Sequence, residues 1–150
     1  MDLPSNLATV SGAQDLFNWF GYWPDFHDAE VLSLNLDRSA LSTLRLHTWE
    51  MTGELDEKRH YVLKKHVIVE IGLREVFDLD LKEFSHQNVI SGLTIERIED
   101  GYRLKLGYCF GLHGTIDALE LTFRITPGAP SDEQGKRPRR SGPIAPGGSI

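Results

Sequence analysis

WFGYWPDFHDAE, residues 19–30, is the stretch from which the fold can be worked out. It places five aromatic residues within eight positions, followed by three polar, potentially ligating residues within four. Gly21 can adopt the left-handed conformation that closes a helix, and Pro24 pushes Trp23 towards an extended conformation. The stretch therefore predicts a rigid corner between one helix and the first strand.

The residues before this corner have the pattern of one short amphipathic helix. Ser11 is a favourable N-cap residue, and Gln14 three positions later completes a capping-box pattern. Apolar residues then recur at helical spacing as far as Gly21, at Ala13, Leu16, Phe17 and Phe20. Such a helix buries its apolar stripe against a larger element, and the following sequence supplies a sheet.

From Glu30 onward, apolar residues recur at every second position, which is the period of a β-strand. Leucines alternate with polar residues over 32–36 and 44–46, and the segment 37–42 lies between them. This arrangement predicts a hairpin. Residues 50–58 follow it and are interpreted as an acidic loop.

The later strands continue the same alternation. In one of them Phe77, Leu79 and Leu81 are expected on the apolar face, and Asp100-Gly101 is a strong signal for a tight hairpin turn. The predicted fold class is α+β, a single antiparallel, mostly meander sheet of six to seven strands with a short N-terminal helix packed on one face. The predicted later strands are 67–73, 77–81, 93–98, 102–106 and 119–125.

One face of this sheet is expected to be polar, with charges of both signs. A solvated sheet surface is the simpler interpretation, and a platform for a protein partner is the alternative. The residues expected there are Arg45, His47, Glu70, Arg74, Asp78, Asp80, Lys82, Glu96, Arg103, Lys105, Glu120 and Arg124.

Charge divides the chain into a domain, residues 1–126, and a Pro/Gly-rich basic tail, residues 127–150. The whole chain has a net charge of −6. The tail has four basic and two acidic residues, a net charge of +2, so the domain has a net charge of −8. An acidic domain disfavours nucleic acid and favours a basic partner. The tail has too few apolar residues to fold alone, and we expect it to be disordered.

The sequence favours the cytoplasm, since it shows neither a signal peptide nor an apolar run of about 18 residues that could span a membrane. The single cysteine, Cys109, cannot form an internal disulfide, which is typical of a reducing compartment. No catalytic motif surrounds Cys109, so we expect it to be a small buried residue. No membrane partner is predicted.

His27, Asp28 and Glu30 are the one candidate cluster for chemistry. Imidazole and carboxylate together suit zinc or manganese. On an extended chain, however, Asp28 and Glu30 point to one face and His27 to the other. A structural role is favoured, in which Asp28 accepts hydrogen bonds from the amides of the preceding turn. Partner contact and metal chemistry are the alternatives, and no metal or other cofactor is predicted.

The sequence of residues 23–31, WPDFHDAEV, followed by alternating leucines, resembles bacterial proteins of the immunity protein 50 family. The similarity is strongest over residues 16–36 and extends through the strand pattern to Ile125. It implies an α+β protein, encoded beside a polymorphic toxin, that neutralises this toxin. Toxins of this class often act on nucleic acid and tend to be basic, which would suit an acidic partner.

The function expected is therefore non-catalytic binding of a cognate, basic toxin. Two alternatives are a small metal-dependent enzyme that uses His27, Asp28 and Glu30, and a ligand-binding module with a pocket next to Trp19 and Trp23. A structural role is expected, rather than a functional one, for the motif residues Trp23, Phe26, His27, Asp28 and Glu30. The candidate contacts with the toxin are Glu50, Glu54, Asp56, Glu57, Asp78 and Asp80.

Overall fold

The computed structural model describes residues 3–130, which form one short α-helix and six strands. The tail expected to be disordered lies, from residue 131 onward, outside the described residues. The 3-10 helix is Ser5–Leu7 and α1 is Ala13–Phe20. The strands are β1 Glu30–Asn35, β2 Ser42–Leu55, β3 Tyr61–Lys82, β4 Val89–Ile98, β5 Gly101–Phe110 and β6 His113–Pro127.

The strands pair antiparallel in the order β1-β2-β3-β6-β5-β4, and the sheet closes into a barrel. The α+β class, the antiparallel sheet, the strand number and the short helix are thus confirmed. Closure is made where β1 meets β4, at Glu30 and Val89. Two backbone hydrogen bonds flank this seam, from Val31 N to Asn88 O at 2.8 Å and from Ile90 N to Ala29 O at 3.0 Å.

The helix packs against β6 and β3, and its buried residues are Ala13, Leu16 and Phe20. Gly21 closes the helix in the left-handed conformation, as predicted. The N-cap prediction is wrong, because Gly12 takes that position and makes no side-chain cap. Ser11 instead accepts a backbone hydrogen bond from Phe123 N at 2.8 Å. Gly12 has φ 85°, and a side chain there would collide with the Phe123 carbonyl.

The core fills the barrel and the space under the helix. Its residues alternate in β2 at Leu44 and Leu46, in β3 from Val67 to Leu73 and in β5 at Leu104 and Leu106, as the period of two requires. Phe26 of the corner is 1% exposed and is among the largest fully buried side chains. Other large members of this core are Leu7, Leu16, Leu44, Leu46, Ile71, Leu73, Ile90, Leu104, Leu112 and Ile116.

The predicted third and fourth strands are one continuous strand, β3, so their separation was wrong. A register shift lies between Val76 and Asp78, next to Glu75 with φ 53°. An extra residue in a strand turns the following side chains to the opposite face. Phe77, the extra residue, is 50% exposed. Leu79 was also expected in the core and is 40% exposed, whereas Leu81 packs against the core as predicted.

Residues 50–55 belong to β2, so the predicted acidic loop is a two-stranded hairpin with its turn at 56–60. We call residues 50–65 the hairpin arm. The turn after β4 is Glu99-Asp100, one residue earlier than predicted, because Ile98 pairs with Gly101. A side chain at Gly101 would collide with the Ala118 carbonyl, so glycine is needed there for close approach.

Two further expectations about burial are wrong. Cys109 is exposed, because it lies near the end of β5, beyond the residues that pair with β6. His47, expected on the solvated face, is buried, because the rings of Trp49 and His66 lie against it at centroid distances of 4.9 Å and 5.2 Å.

Candidate functional site

The corner after α1 is a tight turn held by its own side chains and by β4. Asp25 Oδ1 accepts a hydrogen bond from His27 N at 2.9 Å, which is the role predicted for Asp28. Asp25 O accepts another from Leu93 N at 3.0 Å. Phe26 and Asp28 have φ of 61° and 63°, so the chain is turned at these positions and the alternation assumed for an extended chain does not apply.

As a result, His27 and Asp28 meet instead of pointing apart. His27 Nε2 lies 3.5 Å from Asp28 Oδ2, and His27 Nδ1 lies 3.1 Å from the Ser91 carbonyl. The pKa of His27 is raised above its usual value, most by the Ser91 carbonyl and less by the Asp28 carboxylate. The His27 ring is exposed, so it is available for a partner to contact.

Glu30 points to a different neighbour. Its Oε1 lies 3.7 Å from His47 Nδ1, and His47 Nε2 lies 3.0 Å from His66 Nδ1. The pKa of His47 is lowered to about 4, mainly by burial and to a smaller extent by the neighbouring His66. Within residues 3–130, no three His, Cys, Asp or Glu side chains are grouped as a metal site would require.

The pairing of His47 with His66 was missed from the sequence. A usable signal was present, since both histidines flank the apolar parts of strands predicted to be neighbours. The hairpin register places His47 opposite Ile68, two positions from His66. Without that register, the two residues were only two of six scattered histidines.

A cavity of about 800 Å³ opens beside the corner. Its buried lining residues include Phe26 at the corner and Leu93 on β4. Trp19 is not part of its lining; the Trp19 indole donates instead to Lys65 O at 3.0 Å. The aromatic and polar residues around the cavity include Tyr22, Trp23, Asp25, His27, Trp49, Ser91 and Thr94.

The acidic residues of the hairpin arm are partly paired. Glu50 lies 3.4 Å from the Lys65 ammonium, and Glu54 lies 3.8 Å from that of Lys64. Asp56 Oδ1 accepts from the amides of residues 58 and 60 at 2.8 Å and 2.9 Å, so this carboxylate shapes the turn. Glu57 is exposed in the same turn. The arm has four acidic and four basic residues, so its formal net charge is zero.

Asp78 and Asp80, the other predicted contacts, lie near the opposite end of β3 from the hairpin arm. Both are exposed. Asp80 Oδ1 is 2.8 Å from the Lys82 ammonium, and this hydrogen bond lowers the pKa of Asp80 below its usual value. The structure therefore does not bring the six predicted contact residues together into one surface.

Comparison with known proteins identifies the family. The immunity protein 50 family matches residues 12–122, from the residue before α1 into β6. No curated protein and no solved structure matches the chain. Within residues 3–130, no helix is long and apolar enough to cross a membrane. Because the match covers most of the chain, the protein belongs to the immunity protein 50 family.

Proposed function

We propose that this protein binds a cognate bacterial toxin in the cytoplasm and neutralises it by protein–protein contact, without catalysis or a cofactor. The observation that carries the proposal is the family match over residues 12–122. Immunity proteins protect the cell that makes the toxin, so the partner is expected to be encoded beside this chain.

The surface offers features suited to such a partner. β1 pairs with β2 only as far as His47, and β6 pairs with β3 only from Val67, so the strands of the hairpin arm pair with each other beyond the barrel. Met51, Leu55 and Leu63 on this arm are 51%, 48% and 39% exposed. Exposed apolar side chains beside open strand edges are features that protein partners use.

Charge supports a basic toxin as the partner. The domain carries −8 and the hairpin arm contributes nothing to it, so the negative field arises from the rest of the domain. A field of this sign attracts a basic protein over distances of about 10 Å at moderate ionic strength. Attraction of this kind raises association rates, roughly 10- to 1,000-fold at low salt.

The test is co-expression with the toxin domain encoded beside this gene. Expression of the toxin domain alone should arrest growth of a bacterial host, and co-expression of this chain should restore it. The purified proteins should form a stable complex, which calorimetry or gel filtration would detect. If growth is restored without a complex, or by turnover that requires a metal ion and is abolished in Asp28→Asn, contact neutralisation is wrong.

A further inference from the structure

The cavity beside the corner combines aromatic walls with a carboxylate. Tyr22, Trp23 and Trp49 contribute three aromatic rings, and Met51 adds a flexible thioether. Among the described residues that line the cavity, none is lysine or arginine, and Asp25 provides the one carboxylate. A volume of about 800 Å³ is within the usual range for ligand sites, so a side chain and its neighbouring backbone can enter.

The two indole rings are fixed by contacts behind them. Trp23 stands edge-on against Phe123 with ring centroids 5.5 Å apart. Trp49 packs on His47 and His66 at 4.9 Å and 6.1 Å. A ring that is already ordered loses little entropy when a partner binds, which is a property of residues that dominate binding energy.

Two carboxylates act on Tyr22, which lines the cavity. The charges of Glu50 and Asp25 both act on the Tyr22 hydroxyl and, together with burial as the larger cause, raise its pKa. Lys65 lies 3.4 Å from Glu50 and offsets part of that charge, but it also donates to the Phe20 carbonyl at 3.3 Å, which ties it to the end of α1. His27, the one ionisable cationic group in the lining, lies 3.5 Å from Asp28.

We propose that this cavity receives an arginine side chain of the toxin, whose guanidinium stacks between the Tyr22, Trp23 and Trp49 rings and pairs with Asp25. The proposal rests on the function proposed above. A planar guanidinium is suited to both contacts at once, because it stacks on aromatic faces and binds carboxylates through paired N–H donors. A compact ammonium makes the second contact less well.

The cavity can be tested without the toxin. The indole N–H signals of Trp23 and Trp49 are followed by NMR during titration with N-acetyl-L-arginine methylamide. We expect saturable shifts with a millimolar Kd, and at least several-fold weaker binding of the citrulline analogue, which has the same shape without charge. Absence of binding, equal binding of the citrulline analogue, or tighter binding of N-acetyl-L-phenylalanine methylamide would overturn the proposal.

The toxin complex tests the same cavity in the assembled state. Asp25→Asn retains an acceptor for His27 N, and Trp49→Leu removes one stacking surface. Each should weaken toxin binding roughly 3- to 30-fold, the range of a partly desolvated cation–π contact. Phe110→Leu, an exposed aromatic residue on β5, is the matched control and should bind normally. If the wild type binds the toxin and both cavity variants bind it with the same affinity, this inference alone is overturned. If the wild type does not bind the toxin, the proposed function is overturned.

Discussion

The contact between His47 and His66 depends on at least one neutral imidazole. A hydrogen bond of 3.0 Å between two ring nitrogens needs a donor on one ring and a lone pair on the other. His47 is 8% exposed, so protonating it places a charge in a poorly solvated position. The nearby Glu30 carboxylate, at 3.7 Å, compensates for only part of that cost.

We expect the protein to lose stability in mild acid because of His47. The pKa of His47 in the folded protein is about 4, below its ordinary value of 6.5. The contribution of His47 to the free energy of unfolding is therefore complete above pH 6.5 and is lost as the pH falls to about 4. The loss should reach up to about 3 kcal/mol, measured as the free energy of unfolding in urea at each pH.

His47→Gln is the matched control for this prediction, because it keeps a polar group that does not titrate. The difference in unfolding free energy between wild type and variant should shrink between pH 6.5 and 4. A difference that stays constant over this range would show that His47 does not titrate as proposed.

Trp23 belongs both to the core boundary and to the cavity. The sequence predicted that Phe17, Phe20, Trp23 and Phe26 pack the helix onto the sheet; Phe20 and Phe26 are buried, whereas Phe17 and Trp23 are half-buried. Trp23→Ala removes the edge-on contact with Phe123 and should cost roughly 2–4 kcal/mol, since complete truncation of a buried ring costs about 3–5.

Thermal melting checks the Trp23 prediction. The control is Phe84→Ala, because Phe84 is 68% exposed and its truncation should leave the melting temperature within a few degrees of wild type. If Trp23→Ala melts as high as this control, Trp23 does not support the fold and its ring is free to serve a partner alone.

At the scale of elements, the hairpin arm is the part beyond the barrel where electrostatic steering can be tested. Replacing Glu50, Glu54, Asp56 and Glu57 with Gln or Asn changes the arm from neutral to a net +4. Association with a basic toxin should then slow, while the dissociation rate changes less, as is usual for charges at the rim of an interface.

Stopped-flow mixing at low and physiological salt measures this effect. A higher salt concentration should slow association of the wild type more than association of the variant that lacks the four acidic residues. Lys58→Gln with Arg59→Gln, in the exposed turn of the same arm, is the control of opposite sign and should associate faster. Equal association rates for the wild type and both variants would show that the charges of the arm do not contribute to steering.

β3 shows what alternation can and cannot predict. Its apolar period located residues 67–73 correctly, with Val67, Val69, Ile71 and Leu73 in the core. Beyond Arg74 the same period continued in the sequence, but Phe77 is an extra residue at the register shift and is exposed, whereas Leu81 packs against the core. A single extra residue in a ladder leaves no mark on the sequence pattern, because it is defined by the partner strand.

For the whole molecule, the local pairings could be predicted and the closure could not. The hairpin of β1 and β2 and that of β4 and β5 follow from alternation and turn residues close in sequence. Closure joins Glu30 to Val89, and the cavity joins the corner to β2 and β4, so both depend on contacts between segments far apart in the chain. The aromatic corner suggested a pocket next to Trp23, but the parts of its wall on β2 and β4 could not be predicted from local sequence.

The division of the chain at residues 1–126 and 127–150 remains a prediction, although β6 ends at Pro127, close to that boundary. Deleting residues 131–150 removes none of the described strand pairs. The melting temperature should therefore change little. A marked drop in thermal melting would mean that the tail contributes to the fold and that the proposed boundary is wrong.

Asn88 connects the two halves of the barrel at its seam. It is 4% exposed, and its Oδ1 accepts hydrogen bonds from Ser85 N at 2.9 Å and Leu112 N at 2.8 Å. Its own carbonyl accepts from Val31 N across the closure. The side chain therefore ties the β3–β4 loop to the turn before β6, and the backbone of the same residue bonds the strand that closes the barrel.

Asn88→Ala should therefore loosen the closure first. Two amides lose their acceptor, at a cost of roughly 2–6 kcal/mol, because each buried unpaired group costs about 1–3 kcal/mol. Asn88→Asp keeps the acceptor but loses the donor to the Ser85 carbonyl, 2.8 Å away, and buries a charge, so it should not restore the stability of the wild type. Hydrogen exchange locates the damage: the amides of Val31 and Ile90, which cross the seam, should lose more protection than that of Ile71 in the centre of β3. An equal loss at all three amides would mean that the barrel opens only by complete unfolding, so that Asn88 stabilises the whole sheet and not its closure.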